Sequence, residues 1–399
     1  MDRKHSDKYL QLIQGNMRWI FLFFFLIPYC FPSAMSQDSH VTHDSIAFVE
    51  KTLKKVNKNV NFTIVPGPTF GSSQKLGFAV LPMVVYNLDK SDKVSPPSST
   101  AVLFYFDLYG SWVAALKQSI YWDQNKWRAF ITMGYGDLHL KYYGIGRDTA
   151  IIPNNDSNFV WTQQKEVDVV VTCFRKIYKG IYGGLEFRYT QSNLQGSDST
   201  SEAILNQSGL PLGKITQAVV VPTFVWDNRD NIFWSTRGYY ASVNFQYSNK
   251  IFLNSKDYSV VSGWFNGYHN LMKQNNRLIL AWHFYFQSSW GDLPYRVYAN
   301  YCRGDNATGY TGGKYVNFSE LTAQTEIRYD LWKYIAFGGY IGTGKIFTNY
   351  NVFGQSAWLN FTGLRLYINI IPYRNIRLKL EAAKGRKDYG FYIGIGQGF

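Results

Sequence analysis

Cysteine is nearly absent from this chain: three residues in 399, at Cys30, Cys173 and Cys302. That spacing supports neither a disulfide framework nor a thiolate metal site. Histidine is also sparse, and His5, His40, His43, His139, His269 and His283 form no pair at the spacing of a ligand set. No G-x-S-x-G run occurs and no histidine sits in a catalytic motif, so an enzyme is not expected, and no cofactor or metal ligand is assigned. Acidic residues are outnumbered 41 to 27 by Lys and Arg, giving a net charge of +14. The basic residues are scattered rather than clustered, which argues against a nucleic-acid partner. A polar basic lumen, or attraction to anionic lipid headgroups, fits the charge better.

Long apolar runs are missing too, with one exception near the start. Trp19 to Phe31 is apolar, Arg18 precedes it, and Ala34-Met35-Ser36 follows as a small-x-small site. This reads as a secretory signal peptide over residues 1–36, too short to span a bilayer as a helix; Met17 is an alternative start. Residues 37–60 read as a short periplasmic linker. Within it Ile46, Val49, Leu53 and Val56 fall on one face of an amphipathic helix, or the stretch is loosely ordered.

What the chain has in abundance is aromatics, 18% of all residues. From Asn61 onward the pattern is alternation with period two, broken by turn clusters. Glu186 and Arg188 alternate with Leu185, Phe187 and Tyr189; Ser242, Asn244 and Gln246 alternate with Val243, Phe245 and Tyr247. Thr322, Gln324, Glu326, Arg328 and Asp330 share one face of Leu321 to Asp330, and Arg377, Lys379 and Glu381 oppose Leu378 and Leu380. A soluble sandwich would bury the apolar face, so alternation alone does not decide. The signal peptide, the aromatic load and about sixteen strands over residues 61–399 select an all-β, transmembrane antiparallel β-barrel. A mean hydropathy of -0.22 argues against a helical membrane protein. By parity Cys173 faces lipid and Cys302 lies in a long loop, so no bond between them is expected.

One stretch organises the rest: Trp226 to Tyr240, a charged connection between two strands. Asp227, Arg229, Asp230 and Arg237 can pair among themselves there, and Gly238 permits a sharp turn. A solvated hairpin loop is the plainer alternative. The run Asp227-x-Arg229-Asp230 followed by Arg237-Gly238-Tyr239 resembles the signature of the BamA/TamA-like outer-membrane superfamily, the bacterial surface antigen barrel. The signature's proline is missing; Trp234 or Ser235 stands near its place. Lys141 to Gly146 and the Pro66 to Gly77 hairpin resemble further runs of that family.

The chain ends in Phe399, with Tyr389, Phe391, Ile393 and Ile395 on the same face by parity, which resembles the C-terminal recognition strand of outer-membrane barrels. Gln397 departs from it. The longest late loop, Gly291 to Phe318, matches one that in the family folds into the lumen and presents an Arg-Gly-aromatic tip to a strand Asp. Here Thr308-Gly309-Tyr310 takes the tip's place, with Glu326 and Arg328 on the following strand, and the Asp position is Gly342. Both partners of the lock are absent together, which avoids leaving one charge unpaired. Arg303 is a candidate substitute, and a plain extracellular loop is the alternative.

The resemblance implies a monomeric barrel of the bacterial outer membrane, contacting its lipids, that assists insertion or translocation of client outer-membrane or secreted proteins. Residues 37–60 leave no room for a POTRA domain. A passive channel or structural barrel is the competing expectation.

Overall fold

The computed structural model describes residues 60–399 apart from 72–73, 93, 96–97, 147–158, 208–209, 211, 232–233, 253, 273–274, 303–305, 372–375 and 396. The expected signal peptide, the linker helix and Arg303 therefore lie outside the described residues. The strands are β1 (Val60–Gly71), β2 (Gln74–Tyr86), β3 (Ser98–Asp107), β4 (Trp112–Trp122), β5 (Trp127–Tyr142), β6 (Val160–Tyr178), β7 (Ile181–Gly196), β8 (Gly213–Asp227) and β9 (Gly238–Ser248). They continue with β10 (Tyr258–Asn270), β11 (Leu278–Gly291), β12 (Ala299–Asn300), β13 (Val316–Asn317), β14 (Ser319–Trp332), β15 (Ile335–Phe347), β16 (Leu359–Ile371), β17 (Ile376–Lys384) and β18 (Tyr389–Ile395). Sixteen of them form one meander in which each strand pairs with the next; β12 and β13 make a separate ribbon inside the loop between β11 and β14. The pairing is antiparallel throughout, as in the β10–β11 and β14–β15 ladders.

The faces settle what alternation left open. Outward positions are apolar and exposed, among them Phe104, Phe187, Phe224, Phe245, Ile341 and Leu364. Inward positions are ionic or polar and buried, among them Glu166, Asp168, Glu326, Arg328, Arg365 and Glu381. Only a bilayer on the outside makes that inversion favourable, because each exposed aromatic would otherwise be left in water. One rim of the outer wall carries an aromatic girdle: Trp122 and Trp127 stack at 6.0 Å, and the Arg175 guanidinium lies 5.2 Å from the Trp127 ring. Cys173 is exposed and Cys302 is buried, and both are free.

Pro82 and Pro222 stand inside strands, where a missing N–H interrupts the ladder. The β2–β3 ladder is interrupted between Val80 and Met83, and the β8–β9 ladder between Val220 and Thr223, with the register the same on either side. The connection after β7 holds the helix α1 (Ser199–Gln207), whose Leu205 is fully buried against Tyr142, Leu194 and Leu210. Asp198 precedes it and accepts the Ser201 amide at 2.8 Å and hydroxyl at 3.0 Å, bonds that hold its carboxyl below the usual range.

Connections at one end of the barrel are short, as at residues 179–180 and 333–334. Those at the other end are long, as at 292–318 and 348–358. β1 and β18 come within 8 Å of each other, yet among the described residues no hydrogen-bonded ladder joins them.

Candidate functional site

The connection between β8 and β9 does not hang in solvent. Asp227 and Arg229 form a bidentate pair at 2.8 and 2.9 Å, with the guanidinium 4.7 Å from the Tyr240 ring. Asp230 makes no side-chain ion pair with Arg237. Its carboxylate accepts the Thr236 amide at 2.9 Å, the Arg237 amide at 3.2 Å and the Thr236 hydroxyl at 2.5 Å, closing the turn on itself. The Arg237 guanidinium instead reaches Asn276 at 3.4 Å. Gly238 adopts φ +102°, and a Cβ there would sit 2.6 Å from the Asn228 carbonyl oxygen. Only glycine fits both constraints.

Trp234 of this turn enters the lumen. Trp234 is 2% exposed, and its Nε1 donates to Asp330 at 3.3 Å. Arg377 lies 3.7 Å from its ring centroid, and Tyr367 meets it edge-on at 4.9 Å. Around it the inward faces of β14 to β17 build an ion cluster. Glu326 pairs with Arg328 at 2.9 Å and Arg365 at 3.0 Å, and accepts the Tyr367 hydroxyl at 2.5 Å. Arg365 also pairs with Glu381 at 2.8 Å, Lys379 approaches Glu381 at 3.5 Å, and Arg377 holds Asp330 at 2.5 Å.

The end of the chain seals this cluster, and here the expected placement of Phe399 is corrected. Tyr389 and Phe391 are exposed on the outer face, but the sheet ends at Ile395 and the last residues turn inward. Gln397 accepts from the Ser235 amide at 2.9 Å and from Arg328 at 3.1 Å, and donates to the Tyr268 hydroxyl at 3.1 Å. Phe399 lies 5.3 Å from the His283 ring, and its carbonyl accepts the Tyr268 hydroxyl at 2.5 Å. Gly398 packs so close that a Cβ would lie 2.1 Å from the Arg365 Nη1. The polar Gln397, out of place on a lipid-facing strand, is in place inside.

At the other end, the described residues of the loop between β11 and β14 fold into the lumen rather than projecting outward. Tyr301, Ala307, Tyr310 and Tyr315 pack against Ile346, Leu359, Phe361 and Ala383 of β15 to β17. The Thr308 hydroxyl bonds that of Tyr340 at 2.7 Å, and Tyr340 donates to Glu381 at 2.6 Å, so the tip touches the ion cluster through one tyrosine. The Gly309 amide donates to the Tyr392 hydroxyl at 3.0 Å, and Tyr310 donates to the Asn360 carbonyl at 2.6 Å. At Gly342, where the family has its Asp, the Phe361 ring lies 2.2 Å from where a Cβ would be, so any side chain there would have to displace the ring. Burial pushes the Cys302 thiol in this loop up to about 12, its strongest opposing contact being the Tyr310 backbone.

Residues 118–399 match the Omp85 superfamily domain. The chain belongs to the Omp85 superfamily. It is a β-barrel of the bacterial outer membrane. Among solved structures it is similar to BamA from Haemophilus ducreyi lacking POTRA domains 1–3, at 13% identity and a TM-score of 0.58, over 85% of this chain and 70% of that one. It is also similar to CdiB from Escherichia coli, at 10% identity and 0.53, over 89% and 70%, and to CdiB from Acinetobacter baumannii, at 12% and 0.52, over 85% and 60%. At these identities the likeness is one of fold, and the chain spans 60 to 70% of the length of those chains. No curated protein matches it in sequence.

Within this Omp85 barrel, the residues singled out from sequence fall into two groups. Asp227, Arg229, Asp230 and Gly238 shape the short-end turn, while Thr308, Gly309 and Tyr310 dock the long loop. Glu326 and Arg328 lie between the two. Sequence reasoning missed Arg365, Tyr340 and Tyr367, and marked Gln397 only as a departure from the terminal-strand pattern; these four carry the contacts between the groups. It also missed Glu166 and Asp168, two buried carboxylates on the inward face of β6. Their alternation with Val167 and Val169 was a readable signal that a cation had to come from elsewhere. Among the described residues no group of three His, Cys, Asp or Glu is placed to hold a metal.

Proposed function

We propose that this barrel assists the insertion of client proteins into the outer membrane or their translocation across it, using the edge between β1 and β18. The observation that carries this reading is the unpaired seam. Every other neighbouring pair in the sixteen-strand order is hydrogen-bonded, whereas β1 and β18 approach without a ladder among the described residues. Unpaired backbone donors and acceptors are costly in a bilayer and act as a template for an incoming strand. β18 is also short: its ladder with β17 covers only Tyr389 to Ile395, and the chain then leaves the sheet for the lumen. Membership of the Omp85 superfamily is consistent with clients being proteins.

An open anion channel receives less support. The inward arginines are held by carboxylates, Arg365 by Glu326 and Glu381 and Arg377 by Asp330, and the long loop occupies the lumen. The test is the outer-membrane proteome after depletion of this protein. Loss of other barrels or of secreted proteins is the expected result. An unchanged proteome would sink the reading in favour of a channel or structural barrel.

A further inference from the structure

The long loop is fastened to two walls. Its tip docks on β15 to β17, as the Tyr310–Asn360 and Thr308–Tyr340 contacts show. Its first arm makes a turn at Tyr295 to Val297, and from that turn Arg296 reaches β6. The guanidinium Nη1 lies 2.9 Å from the Glu166 Oε1 and 2.8 Å from the Asp168 Oδ1, and Nη2 donates to the Asp168 Oδ2 at 3.0 Å. All three side chains are buried, at 7%, 6% and 1% exposure. The carboxylates are themselves oriented, Asp168 by the Thr190 hydroxyl and Glu166 by the Gln164 amide at 2.5 Å. In the strand order β6 is sixth and β16 fourteenth, eight places apart in a sheet of sixteen, so the two attachments sit on opposite sides of the barrel. Neighbouring contacts run the same way: Tyr295 meets Tyr142 of β5 edge-on at 5.3 Å, and the Gly146 amide donates to the Val316 carbonyl at 2.9 Å.

We propose that Arg296 is the positioning residue that pins the loop across the lumen, in place of the tip arginine and strand aspartate that this chain lacks at Thr308 and Gly342. The physical reason is that two carboxylates two residues apart on one inward face cannot both stay charged and buried without a cation. Arg296 satisfies both at once, with the bidentate geometry that a guanidinium provides and an ammonium does not. The tip contacts, by contrast, are made by neutral hydroxyls and backbone. Just past the tip, Lys314 makes a second buried ion pair, with Asp388 at 2.7 Å on the β17–β18 side, so Arg296 is the charge that fastens the loop to the opposite wall. The inference does not depend on the insertase reading, because it concerns the loop alone.

The test is single-channel conductance of the full chain refolded in planar bilayers, with folding checked by heat-modifiable gel mobility. Arg296→Ala should raise the time spent in conducting states by about tenfold or more, since the loop loses its ionic fastening to one wall. Arg296→Lys should recover only part of this. The exchanged pair Arg296→Asp with Asp168→Arg keeps one guanidinium and two carboxylates at the site and should return conductance to the parent level. A folded Arg296→Ala barrel that conducts like the parent overturns the proposal. If Arg296→Ala does not fold, the exchanged pair decides: a folded barrel of parent conductance upholds the triad as the fastening, and failure to fold or an open channel overturns it.

Discussion

Replacing Glu326 by Gln tests whether the ion cluster is held by charge or only by shape. Glu326 is fully buried and serves Arg328, Arg365 and Tyr367 at once. Around it Arg328, Arg365, Arg377 and Lys379 face Glu326, Asp330 and Glu381, an excess of one positive charge that the substitution would double. The loss is not shared equally. Arg365 keeps Glu381 at 2.8 Å and Arg377 keeps Asp330, whereas Arg328 retains only the Gln397 amide oxygen and three aromatic rings. Those rings, of Trp234, Tyr268 and Phe399, lie 5.1, 5.5 and 5.6 Å from its guanidinium carbon. Stranding a buried cation costs about 3–5 kcal/mol. Cation–π attraction offsets roughly 0.5–2 kcal/mol of that, leaving a net loss of about 1–4.5 kcal/mol. Urea unfolding of the barrel in lipid vesicles, followed by tryptophan fluorescence, measures it. The double variant Glu326→Gln with Arg328→Met removes the stranded charge and should recover at least half of the loss. A single-variant loss below about 1 kcal/mol, or a double variant equal to the sum of the singles, would refute the reasoning.

Three further outcomes are expected. Gly238→Ala should cost about 2–4 kcal/mol, from about 1–2 for the left-handed backbone plus the collision with the Asn228 carbonyl, and thermal unfolding in detergent would show it. Deleting Gln397 to Phe399 removes the contacts to Ser235, Tyr268 and Arg328; with hydrogen bonds to a charged group at about 1.5–3 kcal/mol each, the 228–237 turn should loosen and become cleavable by trypsin at Arg229 or Arg237. Unchanged protease resistance would mean the tail is not what holds the turn. Cys302 should resist maleimide at pH 8, because a thiol raised to about 12 is thiolate in only about one molecule in ten thousand there. Its reactivity should climb as pH rises toward 12 and appear in full on unfolding; fast labelling of the folded barrel at pH 8 would contradict its burial.

The sequence alone determined the wall of this protein. Period-two alternation sorted Leu185, Phe187, Val243 and Phe245 from Glu186, Arg188, Ser242 and Gln246, because adjacent side chains of a strand point to opposite faces whatever the rest of the fold does. In the turn at Asp227 to Gly238 the Asp227–Arg229 pair and the glycine backbone were legible for the same reason, being local, whereas Asp230 binds the Thr236 and Arg237 amides instead of the cation expected for it. What only the tertiary structure decided is how the lumen is filled. Phe399 kept the parity of Tyr389 and Phe391 in sequence, yet lies inside, because the strand ends at Ile395 and parity says nothing beyond a strand's end. Arg296 and Asp168 are 128 residues apart, and nothing local couples them. They meet because a closing sheet of sixteen strands brings one wall to face the other across a space that a loop must span, and a buried carboxylate selects whichever cation can reach it.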